Sequence, residues 1–452
     1  MPEQNTNRAL TEAAADEWKV LPSGLTVLVR PMPGYSGTHV IYATRFGSID
    51  RDFRVDGREV HLPAGVAHFL EHKMFEDQDG DAFAKFAKTG ANANAFTSFD
   101  RTCYLFTATQ QLDESLDVLL GMVGHPYFTE QTIAKEQGII GQEIKMYDDS
   151  ADWRLITGLC ECLYHSHPIR SDIAGTCESI AEITPKMLYD CCEAFYAPGN
   201  MVLAAAGNTT MEQILAACER HGLMELRPEE RVQRLWAEEP MTLAATEKRI
   251  RMPVSKPCFG LGFKETPLAP DDLRSELLYD LILCCVCGGM SPLYRRLYDS
   301  GLTNPGFGGE VLRVDGCCCI LFTGESDEPD TVKQMLLDEI ERQAKRELHV
   351  DLVIHYDPIV TDDPEVAAVR TRVLSILHDL DPRLSLHDFR MVAGPHHVNV
   401  IFDMVIPPED TDTAEQLRQQ VEDQLQDGKK TYHLIVTFDT AAFNELSTEA
   451  GE

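Results

Sequence analysis

The chain has 452 residues, too many for one ordinary hydrophobic core and enough for two or three domains. Its apolar share of 44% is that of a globular protein, and no stretch approaches the ~20 uninterrupted apolar residues of a membrane span. With 73 acidic against 40 basic residues the formal charge is -33, which argues against nucleic acid and anionic membrane as partners, since both would be repelled. The opening MPEQNTNRALTEAAADEW has no apolar core of the secretory kind, so a cytoplasmic address is expected. Fourteen cysteines lie mostly in apolar runs such as Cys284-Cys285-Val286-Cys287 and Cys317-Cys318-Cys319, with no pair of Cys-x-x-Cys elements. They read as small buried thiols in a reducing compartment.

The predicted elements begin with strands at 24–32 and 38–48. PAGVAHFLEHKMFE follows as a helix with Pro63 near its start, where a missing N–H costs nothing. Residues 94–109 alternate like one strand. LDESLDVLLGMVGHP and TEQTIAKEQGIIGQEIKMYDD have helical periodicity, the second entered through a cap at Thr129. A buried strand at 200–208 closes this α/β unit, assigned residues 1–225. The order then restarts: RIRMPVSKPCFGLGFKET mirrors the opening strand pair, DDLRSELLYDLILCCVCGGM the helix, and residues 306–326 the strand at 94–109. This is an internal repeat of about two hundred residues whose second copy, 226–345, carries no histidines on the corresponding helix. Past 345 the order changes to β-α-β-β-α-β, which predicts a ferredoxin-like module over 346–452. The expected class is α+β: duplicated α/β domains, the second incomplete, followed by that module. The tail 441–452 is expected to fray.

On a helix, His68 and His72 stand one turn apart and project from one face, close enough to share one Zn²⁺ at about 2.0–2.1 Å. Glu71 lies on nearly the same face, placed to take a proton from water at that ion without being a ligand. The plainer reading is two histidines satisfied by hydrogen bonds on a half-buried helix. A third protein ligand would leave the fourth position open, and Glu143 in KEQGIIGQEIKMYDD offers one. Glu136 precedes it by seven residues, two turns, so both carboxylates share a face. Two solvated surface acids are the alternative, against which Ile139, Ile140 and Ile144 suggest burial around Glu143.

HFLEHKMFE, then NAFTSFDRTCYLF, then EQGIIGQEI, resembles the insulinase/pitrilysin family of inverted-motif zinc peptidases over about residues 15–345. The resemblance implies zinc peptidase activity, one Zn²⁺ on His68, His72 and Glu143, Glu71 as general base and Glu136 in support. It also implies an edge strand from Asn94 to Cys103 that pairs with an extended peptide substrate, contacted at Asn94 and Ala95 through backbone bonds. Catalytic relatives usually carry an Arg and a Tyr in the zinc-free repeat, which would stabilise the oxyanion at the scissile carbonyl. In RRLYDSGLTNPGF those places hold Leu297 and Asn304, with Arg295, Arg296 and Tyr298 shifted in register. The family resemblance therefore implies a related partner subunit that supplies the Arg/Tyr pair.

Residues 346–452 resemble instead the cytosolic domain of cation diffusion facilitators, joined in or near the helix VKQMLLDEIERQAKRELHV. His355, Asp357, His387, Asp388 and His397 are conceivable ligands there, although spacing favours solvated side chains. The expected function is a zinc-dependent metalloendopeptidase acting on extended peptides as the zinc-bearing half of a two-subunit enzyme. A non-catalytic assembly subunit of the same family and a metal-responsive binding protein are the alternatives.

Overall fold

In the computed structural model, residues 15–78, 80–226, 232–269, 271–343, 364–393, 398–407, 414–426 and 431–440 are described. They divide between two units, Met1–Val353 and Ile354–Glu452. The predicted join at 345, the first strand expected in the module over 346–452 and the tail 441–452 lie outside the described residues.

Period-two alternation organises the first sheet: in Thr38–Thr44 every second residue is buried and those between are exposed or half-buried. The first copy comprises β1 (Glu17–Val20), β2 (Thr26–Pro31), β3 (Thr38–Thr44), the hairpin β4 (Asp52–Val55)–β5 (Arg58–His61), α1 (Val66–Met74), the short strands β6 (Glu76–Asp77) and β7 (Gly80–Asp81), and α2 (Ala82–Thr89). It continues through β8 (Asn92–Thr97), β9 (Thr102–Ala108), α3 (Leu112–Gly124), α4 (Glu130–Asp148), α5 (Ala151–Leu163), α6 (Cys177–Ala181), α7 (Pro185–Phe195), β10 (Met201–Gly207), α8 (Met211–Arg220) and β11 (Gln233–Arg234). The main sheet has the order β1-β2-β10-β3-β9-β8, so β10 wedges between β2 and β3, parallel to one and antiparallel to the other.

The second copy runs β12 (Cys258–Glu265), α9 (Leu273–Cys287), α10 (Pro292–Asp299), β13 (Gly308–Val314), β14 (Cys317–Glu325) and α11 (Pro329–Gln343). Its sheet order β12-β14-β13 matches β3-β9-β8 of the first copy, strand for strand, with helices in the same intervals. The repeat seen in the sequence is thus a repeat of topology.

Three expectations change. The strand predicted over 94–109 is a hairpin, because the Ser98 N–H donates to the Arg101 carbonyl at 2.8 Å and closes a turn between the paired strands β8 and β9. Of this hairpin only β8 lies at a sheet edge, and Cys103 belongs to the inner strand β9. Of the pair expected at 249–266 only β12 forms. The cysteines are all free and eight are buried, yet Cys284 and Cys285 are exposed, on an open face of α9. The segment Leu273–Asp299 is apolar and long enough by composition to cross a membrane. It breaks after Cys287 into helices of 15 and 8 residues, each short of the ~20 that a span needs.

The second unit runs α12 (Pro364–Leu380), β15 (Ser385–Ala393), β16 (Val398–Ile406), α13 (Ala414–Leu425) and β17 (Tyr432–Thr440). Val373, Leu377, Val400, Met404, Val421 and Leu425 form its own core. β15 pairs antiparallel and β17 parallel to β16. In a ferredoxin-like sheet another strand splits the last βαβ pair, whereas here β16 and β17 bond directly.

Candidate metal centre

α1 starts at Gly65, whose φ of 89° places it in the left-handed region open to glycine. A Cβ there would lie 2.4 Å from the Ala174 carbonyl oxygen, so the loop before α6 seats directly against the first turn. Phe69 and Leu70 are fully buried in the core beneath, which turns His68 and His72 toward α4. Their rings stand 4.7 Å apart. α4 is entered as expected at Thr129, in a reciprocal cap with Thr132. Ile133, Ile140 and Ile144 are buried along it. Ile139, taken from the sequence as part of that burial, is exposed instead.

The two helices bring His68, His72 and Glu143 together, with one donor atom from each all within 4.8 Å of one another. Glu143 Oε1 is 3.7 Å from His68 Nε2, and its Oε2 is 3.4 Å from His72 Nε2. Tetrahedral ligands about 2.0–2.1 Å from an ion stand about 3.3–3.4 Å apart, so small adjustments would close this set around one. The other nitrogen of His72, Nδ1, bonds to Glu136 Oε1 at 3.1 Å. That is the carboxylate contact that usually orients a ligating imidazole. His68 Nδ1 is buried with no hydrogen-bond partner. Hydrogen bonding therefore does not account for this ring, which answers the plainer reading of the motif.

Burial, then the neighbouring His72, pushes His68 down to about 4, the neutral form a metal needs. Burial would lower His72 too, but Glu136 and Glu143 outweigh it and lift it to about 10. In turn His72 holds Glu143 down at about 2. The two carboxylates thus favour positive charge at His72, which a bound metal would supply in place of the proton. Glu71 is buried beside the cluster and outside it, and burial raises its carboxyl above the ordinary range.

Two partners escaped the sequence reading. Thr97 Oγ1, on β8, donates to Glu71 Oε2 at 2.6 Å. Tyr147 donates its hydroxyl to Glu143 Oε1 at 2.6 Å. Tyr147 lies four residues after Glu143, a spacing that could have flagged it.

Asn94 is exposed and Ala95 half-buried on the edge strand β8, with Asn94 Oδ1 accepting from the Ala95 N–H at 2.9 Å. Leu297 is fully buried, and Asn304 Nδ2 donates to Glu325 at 2.6 Å. Arg296 is tied to Glu339 at 2.8 Å, and Tyr298 stacks on Tyr294. The second unit's conceivable ligands His355, Asp357 and His397, and the side chains of His387 and Asp388, lie outside what is described.

Residues 59–177 match the family model "Insulinase (Peptidase family M16)", and residues 182–353 match "Peptidase M16 inactive domain". The uncharacterized zinc protease YmfH of Bacillus subtilis is 42% identical over 320 residues, 70% of this chain and 75% of YmfH. The chain belongs to the insulinase family. An M16-like peptidase structure from Alicyclobacillus acidocaldarius is similar at 34% identity and a TM-score of 0.71, over 81% of this chain and 85% of that one. A protease structure from Helicobacter pylori, 19% identical with a TM-score of 0.61 over 74% of this chain and 80% of its own, shares the fold. Within the insulinase family the chain is a zinc metallopeptidase, and its donor set suits one Zn²⁺. These matches do not support a likeness of residues 346–452 to cation diffusion facilitators.

Proposed function

We propose that this chain is an endopeptidase for extended peptides, in which His68, His72 and Glu143 hold zinc and Glu71 is the general base. The observation that carries the reading is the separation of roles within one turn. Glu71 sits against the cluster, buried and held by Thr97, yet contributes no atom to it. When bound, the ion would polarise the scissile carbonyl and acidify the attacking water. Glu71 would accept the proton that this water gives up and return it to the leaving amine as the C–N bond breaks. Its burial suits that work, since a raised pKa makes a carboxylate a better proton acceptor. Glu136 would fix the tautomer and tilt of His72.

Substrate would lie along the free edge of β8, pairing by backbone near Asn94 and Ala95. Thr97, at the end of that edge strand, touches Glu71, so a peptide paired along β8 would lead to the base. A cytoplasmic setting agrees with the free thiols.

The same reading includes a partner subunit. Leu297 is buried and Asn304 is engaged by Glu325, so neither is free to bind an oxyanion. Losing one such donor costs about 10²–10³ in rate. A related chain bearing an Arg/Tyr pair would restore it. The same two observations favour a second reading, a non-catalytic assembly subunit. The test is turnover of unstructured peptides by the zinc-loaded chain, alone and with such a relative, beside Glu71→Gln. We expect weak cleavage alone, strong cleavage together, and a loss of about 10²–10⁴ in Glu71→Gln at full zinc content. Robust turnover alone would remove the partner requirement, and none in either mixture would favour the assembly role.

A further inference from the structure

α4 supplies Glu143, and the tyrosine one turn later reaches back to it. An intrahelical pair of this kind is common and by itself contributes little. What distinguishes Tyr147 is where its other side goes. Its ring stacks on Trp153 of α5, centroids 5.0 Å apart and 23° from parallel. The Trp153 indole N–H donates to Asp172 Oδ2, and Asp172 Oδ1 accepts from the Ala174 N–H at 2.9 Å. The Ala174 carbonyl in turn presses on Gly65, the residue that opens α1. Ser179 Oγ closes the same corner by donating to the Ala64 carbonyl at 2.8 Å. The contacts run from the carboxylate ligand on α4, through α5 and a loop, to the seat of the helix bearing both histidines.

We propose that Tyr147 is a positioning residue for Glu143, the fixed end of a brace that sets the distance between the two ligand-bearing helices. This rests on the zinc reading of the site. Of the two Glu143 oxygens, Tyr147 holds Oε1, the one nearer His68, and leaves Oε2 toward His72. Without the hydroxyl the carboxylate can rotate about its terminal torsion, which is broad and weakly restrained. Outer partners of metal ligands typically contribute 10–100-fold in metal affinity when removed. Tyr147→Phe deletes the hydrogen bond and keeps the ring on Trp153, so the fold should survive it.

The experiment is zinc affinity of the metal-free full chain by competition with a chromophoric chelator, with the thermal midpoint of the metal-free form beside it. Tyr147→Phe should bind zinc about 10–100-fold more weakly with its metal-free midpoint unchanged. Trp153→Phe, which keeps a ring and loses the bond to Asp172, should weaken zinc by less. It also serves should Tyr147→Phe fail to fold. Wild-type affinity in Tyr147→Phe, or a lowered metal-free midpoint with affinity intact, overturns the brace and leaves the zinc site standing. If the wild type takes up no zinc, or His72→Ala takes up as much, the site itself fails and the brace with it.

Discussion

α1 and α9 occupy the same place in two copies of one motif, between the first strand and the hairpin, and they meet opposite surroundings. Eight of the nine residues of α1 are buried. In α9 only Leu283, Val286 and Cys287 are, while Leu273, Leu277, Leu278, Leu281 and Ile282 are exposed. The difference begins after the hairpin. In the first copy the chain continues into α4, which lies across α1 and brings Glu136 and Glu143 to its histidines. In the second, the described residues of the copy end with α11 at Gln343. One helix therefore does two jobs in the first copy, excluding water from the motif and completing its ligand set. A motif helix without that cover is only an apolar surface.

If this contrast is right, substitutions at equivalent depth should cost very different amounts. Phe69→Ala, under α1, should destabilise by about 3–5 kcal/mol in denaturant melts. Gly65→Ala should cost more than about 1 kcal/mol and lower zinc affinity as well. A side chain there is strained at φ 89° and meets the Ala174 carbonyl at 2.4 Å.

The join between the copies gives a smaller, pH-dependent effect. Glu239 accepts from the backbone N–H groups of His165, Ser166 and His167 and from Lys264 on β12. Burial works to raise its carboxyl, but these donors outweigh it and hold it at about 2. Stability from a depressed carboxyl is fully present above its ordinary value of 4.5 and is lost as pH falls through about 2. Glu239→Gln should therefore melt below wild type at neutral pH, with the gap closing between 4.5 and 2. No narrowing over that range would break the assignment. The smallest effect is expected at Leu281, 61% exposed on α9: Leu281→Ser should change stability by less than about 0.5 kcal/mol. A cost near that of Phe69→Ala would mean that the α9 face is covered in solution.

Much of the site was legible because helical spacing is rigid. Spacing put His68 with His72 and Glu136 with Glu143 on shared faces, and the family resemblance, not spacing, joined His68, His72 and Glu143 into one set. The repeat was legible for a similar reason, since element order survives when side chains diverge. What the sequence hid depends on long-range pairing. Thr97 reaches Glu71 only because residues 94–109 fold back as a hairpin, which alternation alone does not distinguish from one strand. Ile139 was misjudged because a helix turns neighbouring residues to different sides. The exposed thiols of α9 looked buried because an apolar run does not reveal whether another element covers it.

The place of β10 bears on how the chain emerges from the ribosome. β2 and β3 follow each other closely in sequence but do not touch as strands, since β10 must slide between them and pair with both. Until residues 201–207 are synthesised, each presents an unpaired edge, although all three ligand residues have been made long before. Assembly of this half thus waits on a late, sequence-distant pairing, which slows folding and leaves a window for wrong partners. A nascent chain stalled short of Gly207 would hold every residue of the zinc ligand set, on two helices, beside a sheet unable to close.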